Sequence, residues 1–114
     1  MKRGELYRVR RPPGDPKPAR AFVVVSRQPL IDSMYSTVIC APVFTSWHGL
    51  PSQITVGIQE GLKRESAIQC GGLMSIEKVK LTDYIGELTA GKLRELDDAL
   101  LIALGVPAST RLSA

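Results

Sequence analysis

Histidine occurs once in these 114 residues, at His48, and cysteine twice, at Cys40 and Cys70. A single imidazole cannot form a two-histidine acid–base pair. The two cysteines lie in separate apolar, strand-like runs with no metal-ligand spacing around them, so they read as free buried thiols and no metal site is expected. The phosphate loop, the dinucleotide-binding glycine fingerprint, the paired-cysteine motif and the Gly-x-Ser-x-Gly elbow are all missing, which argues against conventional cofactor chemistry. No apolar run approaches the ~20 residues of a membrane span. Met1-Lys2-Arg3-Gly4-Glu5 leads straight into Leu6 and Tyr7 without the apolar stretch of a secretory signal, so a cytoplasmic protein is expected. The hydrophobic content of 44% and mean hydropathy of +0.03 are those of an ordinary soluble chain. At this length one domain over 1–114, without an internal linker, is the expectation.

What is present is unevenly placed charge. From Met1 to Arg27 eight Lys/Arg face two acids, Glu5 and Asp15, a surplus of six within a net charge of +4. The middle, Gln28 to Arg64, is balanced, and the remainder is acidic by two. One end of the fold should therefore be basic, which suits a polyanion such as RNA. The same charges at Arg8, Arg10 and Arg11 would equally discourage aggregation along an exposed strand edge.

Glu5 to Arg10 alternates, with Tyr7 and Val9 apolar against Arg8 and Arg10, the period of a strand with one wet face. Arg11 to Arg20 holds four prolines and a glycine and reads as a stiff basic loop. Ala21 to Val25 reads as a strand buried on both faces, Ser26 to Asp32 as an irregular turn, and Ser36 to Phe44 as a second buried strand in which Pro42 implies an edge or a bulge. After the loop Trp47 to Ser52, the run Gln53 to Ile58 alternates with Ile54, Val56 and Ile58 on one face. Ser66 to Cys70 is a short strand broken at Gly71-Gly72, which Leu73 to Ile76 would continue. Glu77 to Leu81 suits a single helical turn and Tyr84 to Leu88 a last strand. The end is the clearest element. Thr89 is a good N-cap, Leu88 and Leu93 form a hydrophobic staple, and a helix should run from Ala90 to Gly105. Its buried stripe is Leu93, Leu96, Leu100, Ala103 and Leu104, which leaves Ile102 and Leu101 as a possible subunit contact. Many short strands and one terminal helix predict a small compact barrel.

The opening Met1 to Tyr7, the Arg20-led Val-rich strand, the run ending in Thr45-Ser46, the segment Gly61-Leu62-Lys63-Arg64-Glu65-Ser66 and the closing helix together resemble the MazF/PemK family of toxin endoribonucleases. The resemblance runs from about Met1 to Val106. It implies a mainly β, SH3-like barrel over about 1–88 with a C-terminal helix over about 90–104, acting as a homodimer. It also implies an activity: metal-independent, sequence-selective cleavage of single-stranded RNA that stops growth, restrained by a cognate antitoxin whose disordered tail covers the basic groove. RNA supplies its own nucleophile, the 2′-hydroxyl, so a protein can accelerate scission by aligning that group and stabilising charge on the phosphate. No cofactor is implied.

Arg20 matches the family's catalytic arginine, and its guanidinium can grip a phosphate with two donors. Thr45 matches the catalytic threonine. Ala41-Pro42-Val43-Phe44-Thr45-Ser46 is one residue longer than the family pattern, which leaves two arrangements open: Thr45 reaching its place across a bulge, or Phe44 standing there instead. Trp47 and His48 can stack on unpaired bases, and His48 can act as an acid or base near neutral pH. Arg11, Lys17, Ser46 and Gln69 complete the expected RNA contacts. Where many members carry Cys-Asp-Gln-x-Arg-Thr-Ile-Asp, this chain reads Cys70-Gly71-Gly72-Leu73-Met74-Ser75-Ile76-Glu77. A carboxylate and an arginine are missing, so weakened activity is one expectation. The alternatives are a non-enzymatic toxin of the same fold aimed at a protein such as gyrase, and a barrel that binds RNA without cutting it.

Overall fold

The computed structural model describes residues 1–10, 13–15 and 19–107. Seven short strands pair antiparallel: β1 (Glu5–Val9), β2 (Arg20–Val24), β3 (Thr37–Phe44), β4 (Gln53–Val56), β5 (Ser66–Gln69), β6 (Met74–Glu77) and β7 (Asp83–Glu87). A short helix α1 (Gln28–Asp32) follows β2, and α2 (Ala90–Leu104) closes the order. Across the sheet the strands run β4-β5-β3-β2-β1-β7, with β6 also on β3. The two ends of this path come together because the sheet curls. A Cβ at Gly61, just after β4, would strike the Ile85 carbonyl of β7, and one at Gly86 would strike the Glu60 carbonyl. Only glycine permits that approach, and Gly61 also has a φ of +93°. The mainly β barrel with a terminal helix is thus the observed architecture.

Alternation along the strands builds two cores. Inside the curl, Leu6, Val23, Val43, Ile54 and Ile68 meet Leu96 and Ala99 of α2. On the outer face, Tyr7, Phe22, Val24, Val38, Cys40 and Ile76 gather under Ile31 of α1 and Leu81. The Tyr7 ring meets Tyr84 edge-on with centroids 5.7 Å apart, and its hydroxyl donates to Glu5 Oε1 at 2.9 Å. Each core holds one of the free, buried cysteines, Cys70 inside and Cys40 outside.

Several expectations change here. Strand β1 has no wholly wet face, because Leu6 and Tyr7 are buried in opposite cores. Ser26 to Asp32 is not an irregular turn: α1 occupies its second half, with Pro29 in the first turn where a missing N–H breaks no helical bond. Pro42 lies in an interior strand. β3 pairs with β6 over Thr37–Cys40 and with β5 over Val43–Phe44, and Pro42 falls at the seam between them, without a strand partner on that side. Accordingly Leu73 to Ile76 does not extend β5 but forms its own strand farther along β3. Ile58 leaves the face it was to share with Ile54 and Val56 and stands 80% exposed in a short 3-10 turn.

Helix α2 begins and ends as its caps dictate. Thr89 Oγ1 accepts the Lys92 N–H at 3.2 Å, and Gly105 takes a left-handed conformation with φ 72°. Leu88 and Leu93 both join the inner core. Leu104 does not; it is exposed, and the buried residues of α2 are Leu96 of the expected stripe and Ala99 beside it. Among the described residues no helix is long and apolar enough to cross a membrane.

Candidate active site

Antiparallel register decides what Arg20 meets. Ala21 of β2 pairs with Val43 of β3, so the preceding Arg20 falls across from Phe44. Its guanidinium carbon lies 4.3 Å from the Phe44 ring centroid. An aromatic face held that way supports the cation while leaving the edge N–H groups free to donate. The strand reaches this point without a bulge, its pairing regular with both β2 and β5. Side chains therefore alternate: Phe44 takes the outer face beside Arg20, and Thr45 turns to the other side.

Two depressions meet at this edge. The larger is an open groove of about 1320 Å³ that continues the outer core to the surface, with Val9, Phe22, Pro42, Phe44, Leu50, Met74 and Ile76 among its lining. Its charges are mixed. Arg10 pairs with Asp83 at 3.9 Å and Lys80 with Glu77 at 3.5 Å, which leaves Arg8 and Arg20 as the groove cations without a described acidic partner. The smaller cleft, about 300 Å³, opens at the end of the inner core. Arg8, Arg20 and Phe44 line both cavities, while Thr45, Lys63, Arg64 and Ser66 belong to the cleft. Arg20 and Thr45 thus come together, with Phe44 as the wall between the two spaces.

Gln69 lines the groove, and its Oε1 accepts the Gly71 N–H at 3.2 Å. Gly71, Gly72, Met74 and Ser75 follow along that wall, which carries no ionisable group until Glu77. Neither glycine there has a positive φ; a Cβ at Gly72 would press on Pro42 Cγ at 3.2 Å, whereas at Gly71 the nearest atom is the movable Gln69 Oε1 at 3.4 Å. Ser46, Trp47 and His48 are exposed on the loop beyond Thr45, and none of them lines either cavity. That loop is fastened from below: the buried Gln53 Oε1 accepts the His48 N–H at 3.0 Å and the Leu50 N–H at 3.4 Å. Leu50 and Ser52 are the residues it presents to the groove. Leu50 and Gln53 are the members sequence reasoning missed, and Phe44, weighed there only as a stand-in for Thr45, is instead the platform under Arg20. Only the cross-strand register would have revealed the role of Phe44, and no signal marked Gln53, which shares the polar face of its strand with Thr55. Arg11 and Lys17 lie outside the described residues. On α2, Leu101 is half-buried and Ile102 is 52% exposed.

Residues 2–104 match the family described as PemK-like, MazF-like toxin of type II toxin-antitoxin system. The chain belongs to that family. Solved structures show the same fold. The chain is similar to an endoribonuclease in complex with its cognate antitoxin from a mycobacterial species, at 24% identity and TM-score 0.80, covering 94% of this chain and 97% of that one. It is similar to the Mycobacterium tuberculosis toxin MazF-mt6 at 22% identity and TM-score 0.78, covering 90% and 98%. A MazE–MazF structure from Deinococcus radiodurans matches at 18% identity and TM-score 0.74, covering 94% and 97%.

Proposed function

We propose that this toxin is an endoribonuclease that cuts single-stranded RNA at selected sequences, without a metal ion, at the Arg20–Phe44 edge. The observation that carries the reading is the Arg20 guanidinium held against Phe44 beside Thr45, where groove and cleft meet. A scissile phosphate at that edge receives two N–H donors from Arg20 and one hydroxyl donor from Thr45. The adjacent ribose 2′-hydroxyl gives its proton to water as its oxygen attacks phosphorus in line, the bond to the 5′-oxygen breaks and that oxygen takes a proton from water, and the products are a 2′,3′-cyclic phosphate and a 5′-hydroxyl end. Arg20 acts by stabilising charge on the phosphoryl oxygens. Unpaired bases lie on the apolar groove surface at Phe44, Leu50 and Met74, with Gln69 and Ser75 available to read their edges. Trp47, His48 and Ser46 extend that contact beyond the groove, and the sequence adds Arg11 and Lys17 as RNA contacts. A homodimer joined through Leu101 and Ile102 is the working assembly, and a cognate antitoxin covering Arg20 is its restraint.

One observation favours a second reading, an RNA-binding barrel that does not cut: the wall from Gly71 to Ser75 offers no carboxylate to take the 2′-hydroxyl proton. A single experiment separates the two. Purified protein is incubated with long RNA in EDTA and the new 5′ ends are mapped. The nuclease reading expects 5′-hydroxyl ends recurring at one short sequence. RNA bound but left whole would overturn it in favour of the second.

A further inference from the structure

Resting on the nuclease reading, the placement of unpaired charge points to a second feature of the site. We propose that the smaller cleft is a phosphate-holding subsite for the RNA backbone, in which Lys63 and Arg64 grip a phosphate neighbouring the one at Arg20. The groove is the less positive of the two, since Arg10 and Lys80 are offset by Asp83 and Glu77 and only Arg8 and Arg20 are left over. The cleft differs. Arg8, Arg20, Lys63 and Arg64 line it, and among the described residues no carboxylate does and none of the four is ion-paired with an acid. Glu65, next in sequence, does not line the cleft. Lys63 and Arg64 are exposed, while Leu62 and Ser66 on either side of them are buried and fix the turn. Thr45 and Ser66 line the same space, and the Ser66 hydroxyl donates to the Arg64 carbonyl at 3.1 Å, which holds the turn.

The two depressions therefore divide a single-stranded nucleic acid by chemistry. Bases find apolar surface in the groove, and phosphates find uncompensated cations in the cleft. Arg8, Arg20 and Phe44, common to both, mark where the strand crosses from one to the other. Holding the neighbouring phosphate fixes the backbone on one side of the scissile bond, which favours the in-line geometry that Arg20 alone would not impose. Charge absent from the Gly71–Met74 wall is thus supplied from the turn before β5.

The test measures binding without cleavage. A mixed-sequence 20-mer of RNA with 2′-O-methyl at every position cannot be cut, and its Kd is followed from about 50 to 300 mM salt for wild type and for Lys63→Gln/Arg64→Gln. Each single-strand phosphate contact contributes about 0.7 to the slope of log K against log salt. The double variant should lose about 0.7 of that slope, for the one phosphate the two side chains share, and about fivefold in affinity at 0.1 M salt. Lys63→Arg/Arg64→Lys should keep both, and Arg94→Gln, an exposed cation on α2, should change neither. An unchanged slope in the double variant, at unchanged melting temperature, would overturn the subsite. So would a double variant that binds RNA as wild type but loses affinity for oligoglutamate, which would assign the cleft to an acidic protein partner. The nuclease reading fails separately: a slope loss in the double variant, with wild type leaving long RNA uncut, retains the subsite without the chemistry.

Discussion

The inner and outer faces of the sheet are built from alternate residues of the same strands, yet they end differently. Inside, Leu6, Val23, Ile54 and Ile68 are sealed by Leu96 and Ala99 of α2. Outside, Phe22, Cys40 and Ile76 are covered only part of the way by Ile31 and Leu81, and the apolar surface then runs on into the groove at Phe44, Leu50 and Met74. One face is finished by the fold, and the other is left for a ligand to finish. Changes on the inner face should therefore appear as lost stability, and changes at the outer edge as lost activity on a stable protein.

The largest expected effect on stability is Leu96→Ala. This side chain is fully buried, and truncating such a leucine lowers unfolding free energy by about 2–5 kcal/mol. Urea unfolding should show the shift. A loss below about 1 kcal/mol would mean that α2 does not seal the inner core. Phe44→Ala makes the contrasting change, since its ring is 36% exposed. Losing the platform under Arg20 should slow RNA cleavage between about 5- and 100-fold, with a melting temperature shifted by only a few degrees. A stability loss as large as that of Leu96→Ala, with cleavage intact, would reverse the assignment of the two faces.

Gly71→Asp sharpens the outer edge further. The position has ordinary backbone geometry and a movable neighbour, so a carboxylate fits where the wall now has none. Cleavage should rise several-fold and acquire a limb that climbs with pH through the carboxylate range, about 4. An unchanged rate and profile would place the proton acceptor elsewhere.

The two thiols provide the smallest effect, one on each face. Burial pushes Cys40 from 9.0 up to about 12 and Cys70 from 9.0 up to about 11. Folding thus favours the neutral thiols. Their contribution is whole below pH 9 and is lost as pH rises toward 11 to 12, because the unfolded chain ionises first. Unfolding free energy should fall from pH 9 upward, and Cys40→Ala and Cys70→Ala should each flatten part of that slope. Identical pH profiles in all three proteins would show that neither thiol is shut away.

Features carried by neighbouring residues were legible in the sequence. Helix α2 shows itself through Thr89, Leu88, Leu93 and Gly105, all local signals, and β2 through its continuous Val run. What depends on distant partners was not legible. Pro42 looked like an edge residue because its tolerance comes from β5 giving way to β6 on one side of β3, a fact of topology. Arg20 and Thr45 were found through resemblance, but Phe44, which holds the guanidinium, emerges only when residues 20 and 44 face each other across two strands. Lys63 and Arg64 sit in a locally neutral stretch, and the curl of the sheet is what brings them beside Arg8 and Arg20.

The account rests on Arg20 acting at the outer edge without supporting the fold, and single-turnover cleavage of a long RNA in EDTA by Arg20→Ala beside wild type tests that most directly. The predicted result is a rate at least about 100-fold lower, since a lost transition-state donor commonly costs that much, with the melting temperature within a few degrees of wild type. A variant that cuts the same sites at close to the wild-type rate would contradict it.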